Sequence, residues 1–377
     1  MTNKKKTILI ATDNFLPRID GISRFLEMFI PALNKYNVIV VAPDFPGSFQ
    51  KENSNNMYTV RRIKLRKLRI GDYTISKNPK KIKSLIENAD LVFANTIGPI
   101  GSTIIKEASL KEKPIISYIH SIEWVLMEKS LSKLNLTRSI LSLLVKFHAY
   151  RIYSLCTELI VPSTDVGEIY SLLGIKSSKY VIPLGIDSNK FSASNKEKAK
   201  QDLEIDKDDY VIGYVGRIAR EKDLFTLKKA FNKIEGKKKL LIVGDGIKAI
   251  KKKLEGENII ITGKKEDIIP YLNAMDVFVM PSLTETTCLA VLEAMSCEIP
   301  VITTKVGSMR DYIKNKENGL FFPKSNETLL SLRINYLKNN NLKSKNIAKN
   351  ARKTVLKEFS WEITKKKLLK VFGEHLK

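Results

Sequence analysis

The chain has 377 residues, more than one hydrophobic core usually supports, so two domains are expected. Hydrophobic residues make up 43% of it, yet no run of about 18 uninterrupted apolar residues occurs, so no membrane-spanning helix is expected. Its 65 Lys and Arg against 40 Asp and Glu give a net charge of +25, and residues 1 to 187 hold 27 and 16 of these, so both halves are basic. Such a field favours anionic partners: nucleic acid, acidic lipid head groups or phosphorylated substrates.

Residues 7 to 12 read as a buried strand, too short an apolar run for a signal peptide. Ser23 to Lys35 reads as a helix with Phe25, Met28, Phe29 and Leu33 on one face, and Asn37 to Ala42 as the next strand. The loop between the first strand and the helix, Asp13 to Ile22, is enlarged for a βαβ unit. Within it Gly21 permits close backbone approach or a positive φ, and equally fits an ordinary turn. Arg61 to Ile70 holds six basic residues and no acid; it fits a dock for anionic lipid or an edge strand guarded by Lys and Arg.

Strands at Leu91–Ala94, Pro114–Ile119 and Glu158–Pro162, with helices between, complete a doubly wound domain over residues 1–187. His120 stands at the C-terminal end of one of them, where ligands bind in such sheets. Residues 139 to 155 form an amphipathic basic helix. Together with Trp124, Leu126 and Met127 it fits either packing on the sheet or lying on a membrane surface. Cys156, Cys288 and Cys297 show neither metal spacing nor an obvious disulfide pair, as expected of a cytoplasmic chain, peripheral on the inner face of the membrane if the basic stretches dock there.

Pro183 to Asp187 and the polar run Ser188 to Asp209 read as a linker, and a second βαβ series begins at Tyr210 to Val215. In the loop that follows, Gly216 brings the backbone close while Arg217 and Lys222 offer donors to phosphate oxygens. Further strands are expected at Leu240–Val243 and Ile259–Ile261, and Gly244-Asp245-Gly246 lacks the third glycine of a dinucleotide fingerprint. Val277 to Met280 is another strand, Pro281-Ser282 punctuates it, and helical spacing begins near Thr287. A helix opening at that place points free N–H groups at a ligand and makes a seat for phosphate. Glu285 and Glu293 flank the seat; they suit neutral hydroxyls on either side of a diphosphate, or equally a dipole-favoured residue and a solvated one. Asp206-Lys207-Asp208 precedes a strand rather than following one and is rejected as a metal motif.

Glu285, seven intervening residues, Glu293 and then Ala294-Met295-Ser296-Cys297-Glu298-Ile299-Pro300-Val301-Ile302 resemble the signature of the retaining, nucleotide-sugar-dependent glycosyltransferases of family four. That resemblance implies an α/β GT-B fold: two doubly wound Rossmann-like domains facing a cleft. Residues 1–187 would be the acceptor side, 188–360 the donor-binding domain, and a final helix, 361–377, would cross back to the first. It also implies that Arg217 and Lys222 hold the donor diphosphate, Glu285 the sugar hydroxyls and Glu293 the ribose. His120 would lie near the reacting carbon, Gly21 and Gly216 near the phosphates, Gly263 near the base, and Thr286, Thr287, Cys288 and Leu289 along the donor. A nucleotide sugar, with UDP as the commonest base, would be co-substrate; neither metal nor other cofactor is implied. The acceptor would be a membrane lipid, a lipid-linked glycan or a soluble sugar. Four residues depart from the family pattern: Asp20 where some members have Gly, Leu184 for the usual Asn, and Cys288 and Glu298 for usual glycines. A GT-B nucleotide-sugar epimerase and a nucleic-acid-binding protein are the alternatives; the basic residues are dispersed, without an aromatic platform or helix-turn-helix pattern.

Overall fold

The computed structural model describes residues 5–18, 20–48, 58–70, 73–79, 82–125 and 135–376. Leu126 and Met127, expected beside Trp124, lie outside them. The chain divides into two compact units: Met1–Pro183 with Lys365–Lys377, and Leu184–Thr364.

The first unit is built on seven parallel strands: β1 (Thr7–Ala11), β2 (Asn37–Pro43), β3 (Thr59–Ile63), β6 (Leu91–Ala94), β7 (Ile115–Tyr118), β8 (Glu158–Val161) and β9 (Ser178–Val181), in the order β3-β2-β1-β6-β7-β8-β9. β1, β6 and β7 are buried along their whole length, which is why they read as continuous apolar runs without alternation. The basic stretch is divided between β3, the edge strand, and a separate antiparallel hairpin of β4 (Leu65–Ile70) and β5 (Tyr73–Ser76). Arg62 turns inward from β3, donating to the carbonyls of Pro43 (2.7 Å) and Leu16 (2.8 Å), and so ties the enlarged first loop to the sheet edge.

The expected first helix runs Gly21–Phe29 and tightens into a 3-10 turn at Ile30–Leu33, where Pro31 falls in the first turn. Asp20, one of the four departures, is its N-cap: Oδ1 accepts from Ile22 N (3.0 Å) and Ser23 N (2.9 Å), while Asp20 N donates to Ser23 Oγ (2.8 Å). Helix Asn135–Tyr153 packs on the sheet through Ala149, Ile152 and Tyr153, all essentially inaccessible.

The second unit has six parallel strands: β10 (Tyr210–Val215), β11 (Lys238–Val243), β12 (Ile259–Ile261), β13 (Val277–Met280), β14 (Val301–Thr304) and β15 (Leu320–Phe322), in the order β12-β11-β10-β13-β14-β15. Asp206-Lys207-Asp208 lies in the turn before β10, and Asp206 pairs there with Lys237. The last helix, Trp361–His375, begins in this unit, with Trp361 N donating to Ile186 O (2.7 Å). It ends in the first, where the Phe372 ring packs against Phe29 and Phe93 at 5.2 and 4.9 Å between centroids. Among the described residues no helix is long and apolar enough to cross a membrane.

Candidate active site

Strand order in the second sheet reverses between β10 and β13, which lie side by side although β11 and β12 intervene in sequence. The crevice outside the carboxyl ends of such a pair is where open α/β sheets bind ligands. The loops leaving these two strands are Gly216–Asp223 and Pro281–Cys288, the two stretches singled out above. They are bonded to each other, Leu283 N donating to Glu221 O at 2.8 Å.

The Lys222 ammonium and the Glu285 carboxylate meet in an ion pair across them, with side-chain exposures of only 17% and 10%. Ser282 Oγ donates to the same carboxylate oxygen at 2.7 Å. Burial alone lowers the Lys222 pKa, but the adjacent Glu285 charge, helped by other neighbours, more than offsets this, and the net shift is upward. Arg217 stands at the mouth, half-exposed, bridged to Glu221 at 2.5 Å, with its own carbonyl accepting from the buried Tyr214 hydroxyl (2.9 Å). The crevice thus presents two cations, each balanced by a neighbouring carboxylate.

Backbone bracing fixes Glu285. Ser308 donates to Thr286 O through both its N–H (2.9 Å) and its hydroxyl (2.8 Å), and Thr304 Oγ1 donates to Ser282 O (2.5 Å). Gly307 lies between, at φ +54°, and a Cβ there would stand 2.4 Å from Glu285 O. At the neighbouring strand ends Gly244 packs so closely that a Cβ would lie 1.9 Å from Gly216 O, and its N–H donates to Gly263 O (3.0 Å). Gly216, Gly244 and Gly263 are therefore joined in one backbone cluster.

The helix expected from Thr287 runs Leu289–Ser296, two residues later, because Cys288 holds the N-cap dihedrals and caps without a side-chain bond. Thr286 and Thr287 therefore belong to the loop, and the Thr287 hydroxyl is buried without a protein partner among the described residues. Cys288 is buried, and burial raises its thiol pKa, so it stays protonated. Glu293 is in mid-helix and 5% exposed. At the helix's other end Glu298 occupies a left-handed position (φ +57°) in a Schellman turn, with Ile299 N donating to Ala294 O (3.1 Å) and Glu298 N to Met295 O (3.2 Å). That position explains why glycine is usual there.

In the first unit, His120 follows β7. Its Nε2 lies 3.1 Å from Asn95 Oδ1, and its ring stacks on Tyr118 at 4.5 Å. Burial lowers its pKa to about 3, so the imidazole is neutral at ordinary pH. With Asn95 accepting from Nε2–H, Nδ1 is left as the lone-pair nitrogen, buried and without a protein partner among the described residues. Gly21, at the start of its helix, does not need its conformational freedom: its φ is not positive, and no atom of the described residues lies within 4 Å of where a Cβ would be.

Sequence reasoning passed over Asn95, Ser282, Gly307, Ser308 and Glu221, all of which hold a chosen residue in place. Ser282 and Asn95 carried a signal, since each directly follows or nearly follows a buried strand at its ligand end. Among the described residues no three His, Cys, Asp or Glu side chains gather as metal ligands would.

Two family models match the chain, Glycosyltransferase Family 4 over residues 19–190 and Glycosyl transferases group 1 over residues 195–354, so between them they take in both switch-point sheets. The chain belongs to glycosyltransferase family 4. A family relative, the capsular polysaccharide biosynthesis glycosyltransferase CapM of Staphylococcus aureus, is 30% identical over 217 residues, 55% of this chain and 56% of that one. The alpha-monoglucosyldiacylglycerol synthase of Acholeplasma laidlawii is 28% identical over 47% of this chain and 48% of its own. The chain spans about half the length of the curated relatives it matches. In fold, the family 4 chain superposes on Anabaena Alr3699/HepE in complex with UDP-glucose with a TM-score of 0.76, covering 98% of this chain and 99% of that one at 17% identity. Its architecture is GT-B, two Rossmann-like units with parallel sheets.

Proposed function

We propose that this family 4 chain transfers a hexosyl group, with retention, from a UDP-sugar to a hydroxyl of a lipid or lipid-linked glycan. The Lys222–Glu285 pair at the β10–β13 switch point carries the reading. A diphosphate placed there would draw Lys222 and Arg217 from their carboxylates, releasing Glu285 to accept hydrogen bonds from sugar hydroxyls and Glu221 toward solvent. The N–H groups at Thr287 to Leu289 would face the departing charge, so fixed cations and a helix mouth stabilise the leaving group. Glu293 would hold the ribose, Gly263 the base, and Gly21 would stand near the phosphates.

In the transfer the bond from the anomeric carbon to the diphosphate oxygen breaks, the acceptor oxygen bonds to that carbon on the same face, and the acceptor proton passes to the leaving diphosphate. Neutral His120 would accept a hydrogen bond at Nδ1 near the reacting carbon. No metal is required for these roles. The UDP reading is supported by the UDP-glucose held by the Anabaena protein, and the lipid reading by the name of the Acholeplasma relative, an alpha-monoglucosyldiacylglycerol synthase.

The test is nucleoside diphosphate release from UDP-, GDP- and ADP-sugars, with and without lipid acceptors. Release from a UDP-sugar that rises with lipid and yields a glycosylated lipid with the donor's anomeric configuration supports the reading. Release from another donor reassigns the base, product on a soluble sugar reassigns the acceptor, and a free epimer without transfer indicates an epimerase. No release from any donor overturns the proposal.

A further inference from the structure

Helix Asn135–Tyr153 has two apolar faces, and the fold uses one. Ala149, Ile152 and Tyr153 point into the core at 0, 0 and 1% exposure, and His148 is held on the inner side by Ser102 Oγ (2.8 Å) and Ile97 O (3.1 Å). Around the opposite side run Ile140, Leu143, Leu144, Phe147 and Tyr150, exposed by 56, 66, 57, 57 and 39%. Their spacing of three, one, three and three puts them in a single stripe about 15 Å long at 1.5 Å per residue. A continuous apolar strip along the outer side of a helix marks a surface that something else covers.

Charge decides what covers it. The helix sequence contains Arg138, Lys146 and Arg151 and no Asp or Glu. Arg151 lies over the Phe147 ring at 5.9 Å, which places a guanidinium at the border of the stripe, and Lys146 is exposed beside it. Apolar Leu and Phe on one side with Lys and Arg flanking them is the composition of helices that lie in the plane of an anionic bilayer surface. A second copy of the chain is disfavoured, because an isologous contact would bring each cationic rim against its own image in a chain of net charge +25. The stripe is also convex, on the outside of a helix, which suits a soft planar surface.

We infer that the Ile140–Tyr150 stripe seats the chain on anionic lipid head groups, with the five apolar side chains entering the interface and Lys146 and Arg151 meeting phosphates. The inference goes beyond glycosyl transfer and is read without any donor.

The test is co-sedimentation of the purified full-length chain with vesicles of phosphatidylcholine alone and of equal parts phosphatidylcholine and phosphatidylglycerol. The chain should pellet with the anionic vesicles. Leu143→Glu with Phe147→Glu should lower that binding about tenfold or more, whereas Lys146→Gln with Arg151→Gln should reduce it partially and make it less sensitive to salt. All four side chains are exposed, so unchanged circular dichroism and melting confirm that the variants fold. Absence of anionic-vesicle binding, or equal binding by the Leu143→Glu/Phe147→Glu variant, overturns the assignment. So does a dimer in light scattering that the same variant abolishes while vesicle binding is absent; it would give the stripe to a second copy.

Discussion

Lys222 and Glu285, 63 positions apart in sequence, form the ion pair that joins the two loops of the second sheet's switch point. Because both side chains are largely buried, removing one partner strands the other. Lys222→Ala or Glu285→Ala should each destabilise the second unit by about 1 to 3 kcal/mol, and the double variant should cost less than the sum. Urea denaturation of all four proteins measures the coupling. In assays of the proposed transfer, Glu285→Gln should retain most of the stability and lose about 100-fold or more in kcat; unchanged turnover would remove Glu285 from the site.

Asn95 acts on His120 through the 3.1 Å contact to Nε2. Asn95→Ala should lower turnover about tenfold by freeing the imidazole to rotate or change tautomer, with the KM for donor little changed. His120→Ala should lower it further while nucleotide binding, measured by calorimetry, is retained. If Asn95→Ala reduces stability alone and leaves kcat intact, its role is confined to the fold.

His120 also has a predictable pH signature. Its pKa is depressed in the folded state to about 3 from the ordinary value of 6.5. Between those values the unfolded chain binds the proton and the folded chain does not, so this group's stabilising contribution is whole above about 6.5 and is lost as pH falls toward 3. The wild type should therefore lose stability more steeply than His120→Gln over that window. Parallel denaturation curves for the two proteins from pH 7 to 4.5 would contradict the burial of this ring.

Glu298 sits at φ +57° in the turn that ends helix Leu289–Ser296. Glycine adopts this conformation without the Cβ strain, so Glu298→Gly should raise stability by about 0.5 to 1 kcal/mol. The 3.7 Å contact to Arg352, partly exposed on both sides, takes back only a fraction of that. Thermal melting checks the sign, and a lower melting point would mean that the Arg352 contact dominates.

The carboxyl ends of the strands were legible in the sequence because parallel strands buried on both faces leave uninterrupted apolar runs, and the residues just beyond them stand out as polar: His120 after β7, the Gly216 loop after β10, Glu285 after β13. Helix ends were less legible. Thr287 reads as a helical start by its spacing, but the structure gives that place to Cys288, whose short side chain offers no capping oxygen. Asp20 stands where some family members have glycine and proved to be a cap, a role its partner Ser23 announces three residues later. What the chain could not announce was pairing between distant loops. Nothing near Ser308 or Gly307 in sequence points to Glu285, and only the folded sheet brings β14's loop beneath it.

The final helix changes how the protein can be cut. Phe372 completes an aromatic cluster with Phe29 and Phe93, so a fragment ending at Pro183 would carry an unfilled hole in its own sheet face, though its strands are all present. A chimaera that exchanges the first unit between family members must take its first segment and its last dozen or so residues from the same parent, with junctions near Pro183 and Thr364. The two terminal stretches of the chain thus fold as one part.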